Sequence, residues 1–340
     1  MSQAGREPEL ESRLCSAISR AAGDDPGGSA PAFERCLMVE VGVPYQRDVA
    51  QSRSFPEGLL PVLREAEERG GLQKFGAFMP DAGYSRAGHT RLFLFSRADS
   101  RAGEAASVGS EYWKTELLVP DSEVSGAAEA VLSEGGLGRY EEYRPPTQGV
   151  REIFICTHGR RDTCCGKFGY PVYRKLADDY AGEELRVWRS SHLGGHRFAP
   201  TLMDLPSGRS WGHLDEEDLA YVILRAGEFG TVQKNYRGYS GLSSRHEQLA
   251  EREVLVREGW EWAEYIRRGE LLEFSADGTA TGPVAGPAAE VELEYALPGG
   301  ERVLYRATLE KTGSVMTLAS SGTDPLEEVE QYTVSRLRRS

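Results

Sequence analysis

Residues 151–226 read REIFICTHGRRDTCCGKFGYPVYRKLADDYAGEELRVWRSSHLGGHRFAPTLMDLPSGRSWGHLDEEDLAYVILRA, and this stretch decides the fold. The apolar run Glu152–Cys156 predicts a strand, Pro171–Tyr180 a helix, and Leu185–Arg189 and Thr201–Leu205 two further strands. The Pro206–Ser207–Gly208 turn leads into a strand at Ser210–Leu214, and Asp215 reads as the N-cap of a closing helix that runs to Ala226.

The order β-α-β followed by β-β-α is that of a thioredoxin-like α/β domain, here assigned to residues 149–250. Working outward, a strand at Leu37–Val41, a helix at Glu57–Arg69, a strand at Arg91–Ser96 and a helix at Glu123–Leu132 repeat that order. Residues 36–148 are therefore read as a candidate degenerate copy of the same unit. Residues 1–35, polar and rich in Gly, Pro and Ala, are expected to be mobile, with order beginning near Cys36. Residues 251–340 predict a charged helix at Arg252–Arg268 and a linker at Ser275–Pro287. A small antiparallel sheet follows, with strands at Val291–Leu297, Val303–Leu309 and Val315–Ser320. Nothing in this tail reads as chemical.

The formal charge is −13, and residues 151–250 hold 14 Lys/Arg against 13 Asp/Glu, so the acidity lies in the flanks. An acidic chain does not fit nucleic-acid binding, which needs a basic face. No apolar run approaches the roughly 20 residues that cross a bilayer. The polar start MSQAGREPELESRL lacks the apolar stretch of a signal peptide, so a cytoplasmic protein without membrane attachment is expected. Of five cysteines, three crowd into positions 156–165, which fits metal binding or redox chemistry better than a disulfide framework.

Cys156 stands where a strand ends, and His192 and His196 follow the second strand of the same βαβ unit. Parallel strands place such loops side by side at their C-terminal ends. C-x8-C and H-x3-H are thus expected to converge, and Gly194–Gly195 points to a tight loop against a bulky ligand. Two thiolates and two imidazoles suit zinc as well as an iron–sulfur centre, so ligand chemistry leaves that choice open.

The segments CTHGRRDTCCG (156–166) and SHLGGHRFAPT (191–201), with CLMVEVGVP (36–44) and YRGYSGL (236–242) more weakly, resemble the sucrase/ferredoxin-like family over roughly residues 28–250. The resemblance implies a thioredoxin-like ferredoxin domain and one [2Fe–2S] cluster held by Cys156, Cys165, His192 and His196. The expected function is electron transfer, coupled to protons through the imidazoles, with an unidentified redox partner protein and no catalytic residues. Nothing in the chain resembles a glycosidase site, and no G-x-G-x-x-G nucleotide fingerprint is present.

The competing readings are a structural zinc module on the same four ligands and a thiol oxidoreductase using Cys164 and Cys165. The second is disfavoured because adjacent cysteines make a strained dithiol. Cys164 and Cys36 are expected as buried small residues, Cys15 as a mobile thiol, and His158 as a candidate outer hydrogen-bond donor. His89, His213 and His246 are expected to be structural. Arg160, Arg161, Lys167 and Arg197 are candidate charges around the cluster.

Overall fold

The computed structural model describes residues 13–97, 110–133, 135–147, 149–274, 289–322 and 325–340. The chain runs α1 (Cys15–Ala22), β1 (Arg35–Glu40), α2 (Leu59–Glu68), β2 (Lys74–Phe78), β3 (His89–Ser96), β4 (Trp113–Pro120) and α3 (Val124–Leu132). It continues with β5 (Arg151–Cys156), α4 (Thr163–Asp179), β6 (Leu185–Ser190), β7 (Leu202–Leu205), β8 (Arg209–Trp211) and α5 (Leu219–Leu224). Strand β9 (Tyr236–Tyr239) and helix α6 (Arg245–Glu258) precede β10 (Ile266–Phe274), β11 (Ala289–Ala296), β12 (Arg302–Thr317) and β13 (Glu327–Arg339).

Two sheets result. The large mixed sheet has the order β4-β3-β1-β2-β6-β5-β7-β8-β9, and the small antiparallel sheet has the order β10-β11-β12-β13. Within the large sheet, β1 is parallel to β2 and β5 to β6, while β3 and β7 are antiparallel to β1 and β5. The two halves thus share one strand order and meet where Phe78 of β2 pairs with Ser190 of β6.

Strand β1 is central, so both of its faces are buried. Cys36 and Met38 join one core with Phe78, Phe93, Phe154 and Trp188, while Leu37 and Val39 face Leu59 and Leu63 of α2 and Val124 of α3. That is why the run CLMV, residues 36–39, reads as continuously apolar rather than alternating.

Several expectations are corrected. Order begins before Cys36: Leu14 and Cys15 are buried against Cys164, Ala199 and Leu318, which fixes α1. Helix α4 starts at Thr163 rather than Pro171, because the Asp162 carboxylate accepts the Cys164 N–H at 2.9 Å and caps the chain there. The charged helix expected at Arg252–Arg268 is α6, set earlier by the Ser244–Glu247 capping box and ended at Gly259 (φ 96°). The two strands expected at Val303–Leu309 and Val315–Ser320 form one long strand, β12, paired along its length with β13. The linker expected at Ser275–Pro287 lies outside the described residues.

Candidate metal centre

Cys156 closes β5, and its partner across the parallel ladder, Ser190, closes β6. The loops that follow therefore leave the sheet side by side, and the Thr157 N–H donates to the Ser190 carbonyl at 3.1 Å to hold them there. The first loop turns into α4, placing Cys165 in its first turn. The second carries His192, then Gly194 (φ 95°) and Gly195 (φ 69°), and tightens into a 3-10 turn at His196–Phe198. Both left-handed positions need glycine, so the glycine pair forms a loop rather than a helix face.

The ligand atoms of Cys156, Cys165 and His192 lie within 4.8 Å of one another, with both thiols fully buried and His192 half-buried. The His192 Nδ1 is buried without a hydrogen-bond partner. His196 stands beside this trio, its ring centroid 5.1 Å from that of His192. It belongs, however, to a second group: its Nδ1 lies 3.4 Å from Asp162 Oδ2 and 3.6 Å from Cys15 Sγ.

This second group is the part that sequence reasoning missed. Cys15, expected as a mobile thiol, is wholly buried, 3.6 Å from the Cys164 Sγ. Ser321, in a tail that read as without chemistry, donates its N–H at 2.8 Å and its hydroxyl at 2.7 Å to the two Asp162 oxygens. A signal for α1 was present in LCSAISRAA, where Leu14, Ala17 and Ile18 recur at helical spacing. No local pattern marks Ser321, whose role depends on folding across the whole chain.

The electrostatics separate the four thiols near the site. Burial opposes ionisation of Cys156, but hydrogen bonds from Cys165 and His192 and the His192 charge outweigh it, so this thiol sits well below its ordinary value. Hydrogen bonding to Cys156, then burial, pushes Cys165 up. The pair thus gives up its first proton readily from Cys156, as a metal-ligating thiol must. In the neighbouring pair, the Cys15 hydrogen bond lowers Cys164, while that bond and burial raise Cys15. Burial raises Asp162, but the Ser321 and Cys164 donors overcome it and hold the carboxyl below its usual range. Burial lowers His196 despite Asp162, which keeps the imidazole neutral and able to ligate.

The other candidates resolve into ordinary partnerships. His158 is buried, its Nε2 2.8 Å from the Gln46 carbonyl and its ring edge-on to Tyr45. Arg160 donates to the Gln46 side chain at 2.9 Å, and Arg197 pairs with Asp24 at 2.9 Å. Lys167 lies over the Phe168 ring, 5.7 Å from its centroid. Cys36 is a core residue.

The sequence pattern of the sucrase/ferredoxin-like family matches residues 26–238, which is more than half of the chain and includes every group of the centre except Cys15 and the tail. The chain belongs to the sucrase/ferredoxin-like family. No curated protein and no solved structure matches it. The family match spans both halves of the large sheet, whereas the small sheet and the turn after β12 that supplies Ser321 lie beyond it. No helix among the described residues is long and apolar enough to cross a membrane.

Proposed function

We propose that this protein is a cytoplasmic electron carrier whose thioredoxin-like second half holds one [2Fe–2S] cluster on Cys156, Cys165, His192 and His196. The observation that carries this reading is the division of the ligands. Two wholly buried thiols stand on one side and two half-buried imidazoles, 5.1 Å apart between ring centroids, on the other. The unpartnered His192 Nδ1 and the acidified Cys156 suit metal ligands.

When bound, the cluster supplies one-electron uptake and release. The buried thiols keep water from the inner side, and the half-buried imidazoles leave a short path to a docked redox protein. Replacing two thiolates by neutral imidazoles makes an added electron less opposed by charge. Rieske-type sites of that composition lie at about −150 to +300 mV, against about −400 mV for plant-type all-cysteine sites. Asp162, anchored by Ser321 and Cys164, faces the His196 Nδ1 and can hold a proton on it.

A mononuclear structural zinc is the second reading, because the atoms of Cys156, Cys165 and His192 are close enough together to meet at a single ion. Metal and sulfide analysis of anaerobically purified protein separates the two. About two irons and two sulfides per chain, with a red-brown colour, are expected. A colourless protein with one zinc overturns the electron-transfer reading.

A further inference from the structure

Five arginines are buried among the described residues: Arg91, Arg186, Arg209, Arg237 and Arg252. Arg91 and Arg186 pair with Glu116, Arg209 with Glu251 and Arg252 with Asp25. Arg237, 3% exposed, is different. It donates to the Gly194 carbonyl at 3.0 Å, to the Ser29 hydroxyl at 3.0 Å and to the Ser29 carbonyl, all of them neutral acceptors. Among the described residues no carboxylate forms an ion pair with it. Lys74, from the other half of the sheet, repeats the pattern: its ammonium donates to the Leu193 carbonyl at 3.3 Å and likewise has no described carboxylate partner.

Both cations thus grip the loop between His192 and His196. The grip is tight, since a Cβ on Gly195 would stand 2.5 Å from the Arg237 Nη2. A buried charge without a counter-charge costs several kcal/mol, so native structures pair such groups. The cysteines that act on Arg237 are Cys156 and Cys165, and on Lys74 Cys36 and Cys156; burial keeps Cys36 a neutral thiol, whereas Cys156 and Cys165 would carry negative charge as metal ligands.

We propose that buried Arg237 and half-buried Lys74 are the counter-charges of the metal centre and set how readily it accepts an electron. This rests on the [2Fe–2S] reading. Two ferric ions, two sulfides, two thiolates and two neutral imidazoles sum to zero charge, and one electron taken from a reductant makes the centre negative by one unit. A fixed buried cation therefore stabilises the reduced form more than the oxidised one. At an effective dielectric of about 20, a unit charge about 10 Å away shifts the reduction equilibrium by roughly tenfold.

The test is a dithionite titration of the cluster-bearing full chain with redox dyes, followed by EPR, for wild type, Arg237→Gln, Arg237→Lys and Lys74→Gln. Each Gln variant is expected to show about a tenfold smaller reduction constant, a shift of about 59 mV to more negative potential for one electron. Arg237→Lys, which keeps the charge, is expected to stay within about threefold of wild type. A Gln variant that retains iron and sulfide with an unchanged potential overturns the proposal, as does an equal shift in Arg237→Gln and Arg237→Lys. If Arg237→Gln does not retain the cluster, Lys74→Gln on its separate strand decides by the same criterion. Wild-type protein without iron and sulfide refutes the cluster reading itself, an outcome distinct from unshifted variants of a loaded protein.

Discussion

Gly169 lies inside α4 where the helix crosses the end of β5, and replacing it with alanine tests the packing that brings Cys165 to Cys156. A Cβ built on Gly169 would sit 3.1 Å from the Cys156 carbonyl carbon and far inside contact distance of its oxygen. Both groups are backbone, so no side chain can swing away. Carbon atoms pack best at about 3.5–4.0 Å, so the helix or the strand would have to move by a sizeable fraction of an ångström. On helix propensity alone the change should stabilise by roughly 1 kcal/mol. Overpacking costs about 1–3 kcal/mol and sometimes more, and a clash with fixed backbone belongs at the upper end, so destabilisation should win. The assay is the urea midpoint of metal-free protein, compared with Gly182→Ala, whose Cβ would meet nothing within 4 Å. Gly169→Ala should lower the midpoint and weaken metal retention, while Gly182→Ala should stay within about 0.5 kcal/mol of wild type. A raised midpoint for Gly169→Ala would show that the helix does not press on Cys156.

Three further outcomes are expected. His213 is held neutral by burial, and then by the Arg20 charge, with its pKa depressed to about 3. The unfolded imidazole, near 6.5, takes its proton first, so stability is intact above about pH 6.5 and falls by about 2 kcal/mol by pH 5. His213→Asn, which tolerates the left-handed φ of 53°, should flatten that slope in urea titrations at the two pH values, and an unchanged slope would count against it. Glu152 is wholly buried and accepts from Lys114 at 2.8 Å, Trp188 Nε1 at 2.7 Å and Arg186. Glu152→Ala should cost about 3–5 kcal/mol in the same assay, since it strands those charges. Finally, Cys165→Ser should abolish iron binding while Cys164→Ser and Cys15→Ser retain it, because Cys164 faces Cys15 and not the His192 trio; iron analysis of the three variants checks this.

The parts of the fold that were legible in the sequence are those with local causes. Strand β5, the glycine-pair loop and the Pro206–Gly208 turn follow from apolar runs and from positions that require glycine or proline. The convergence of Cys156, Cys165 and His192 follows from parallel pairing alone. The true start of α4 at Thr163 rests on the Asp162 side chain, which caps the chain well before the expected Pro171. Cys15 and Ser321 were invisible as members of one group, since 306 positions separate them and only tertiary folding brings them together. The buried network around Glu152 escaped for the same reason: Lys114 comes from β4, Arg186 and Trp188 from β6 and Glu152 itself from β5, and a charged residue in a strand reads locally as an exposed one. Arg237 lay within a quoted motif, YRGYSGL, but its lack of a carboxylate partner is a property of the folded interior.

The most direct test of the central claim is electron–nuclear double resonance on the dithionite-reduced protein with its histidines labelled with nitrogen-15. Two strongly coupled histidine nitrogens are predicted for wild type and one for His196→Cys, as expected when His192 and His196 both ligate an iron. A reduced cluster with no histidine coupling, or with wild-type coupling retained in His196→Cys, would contradict the assignment.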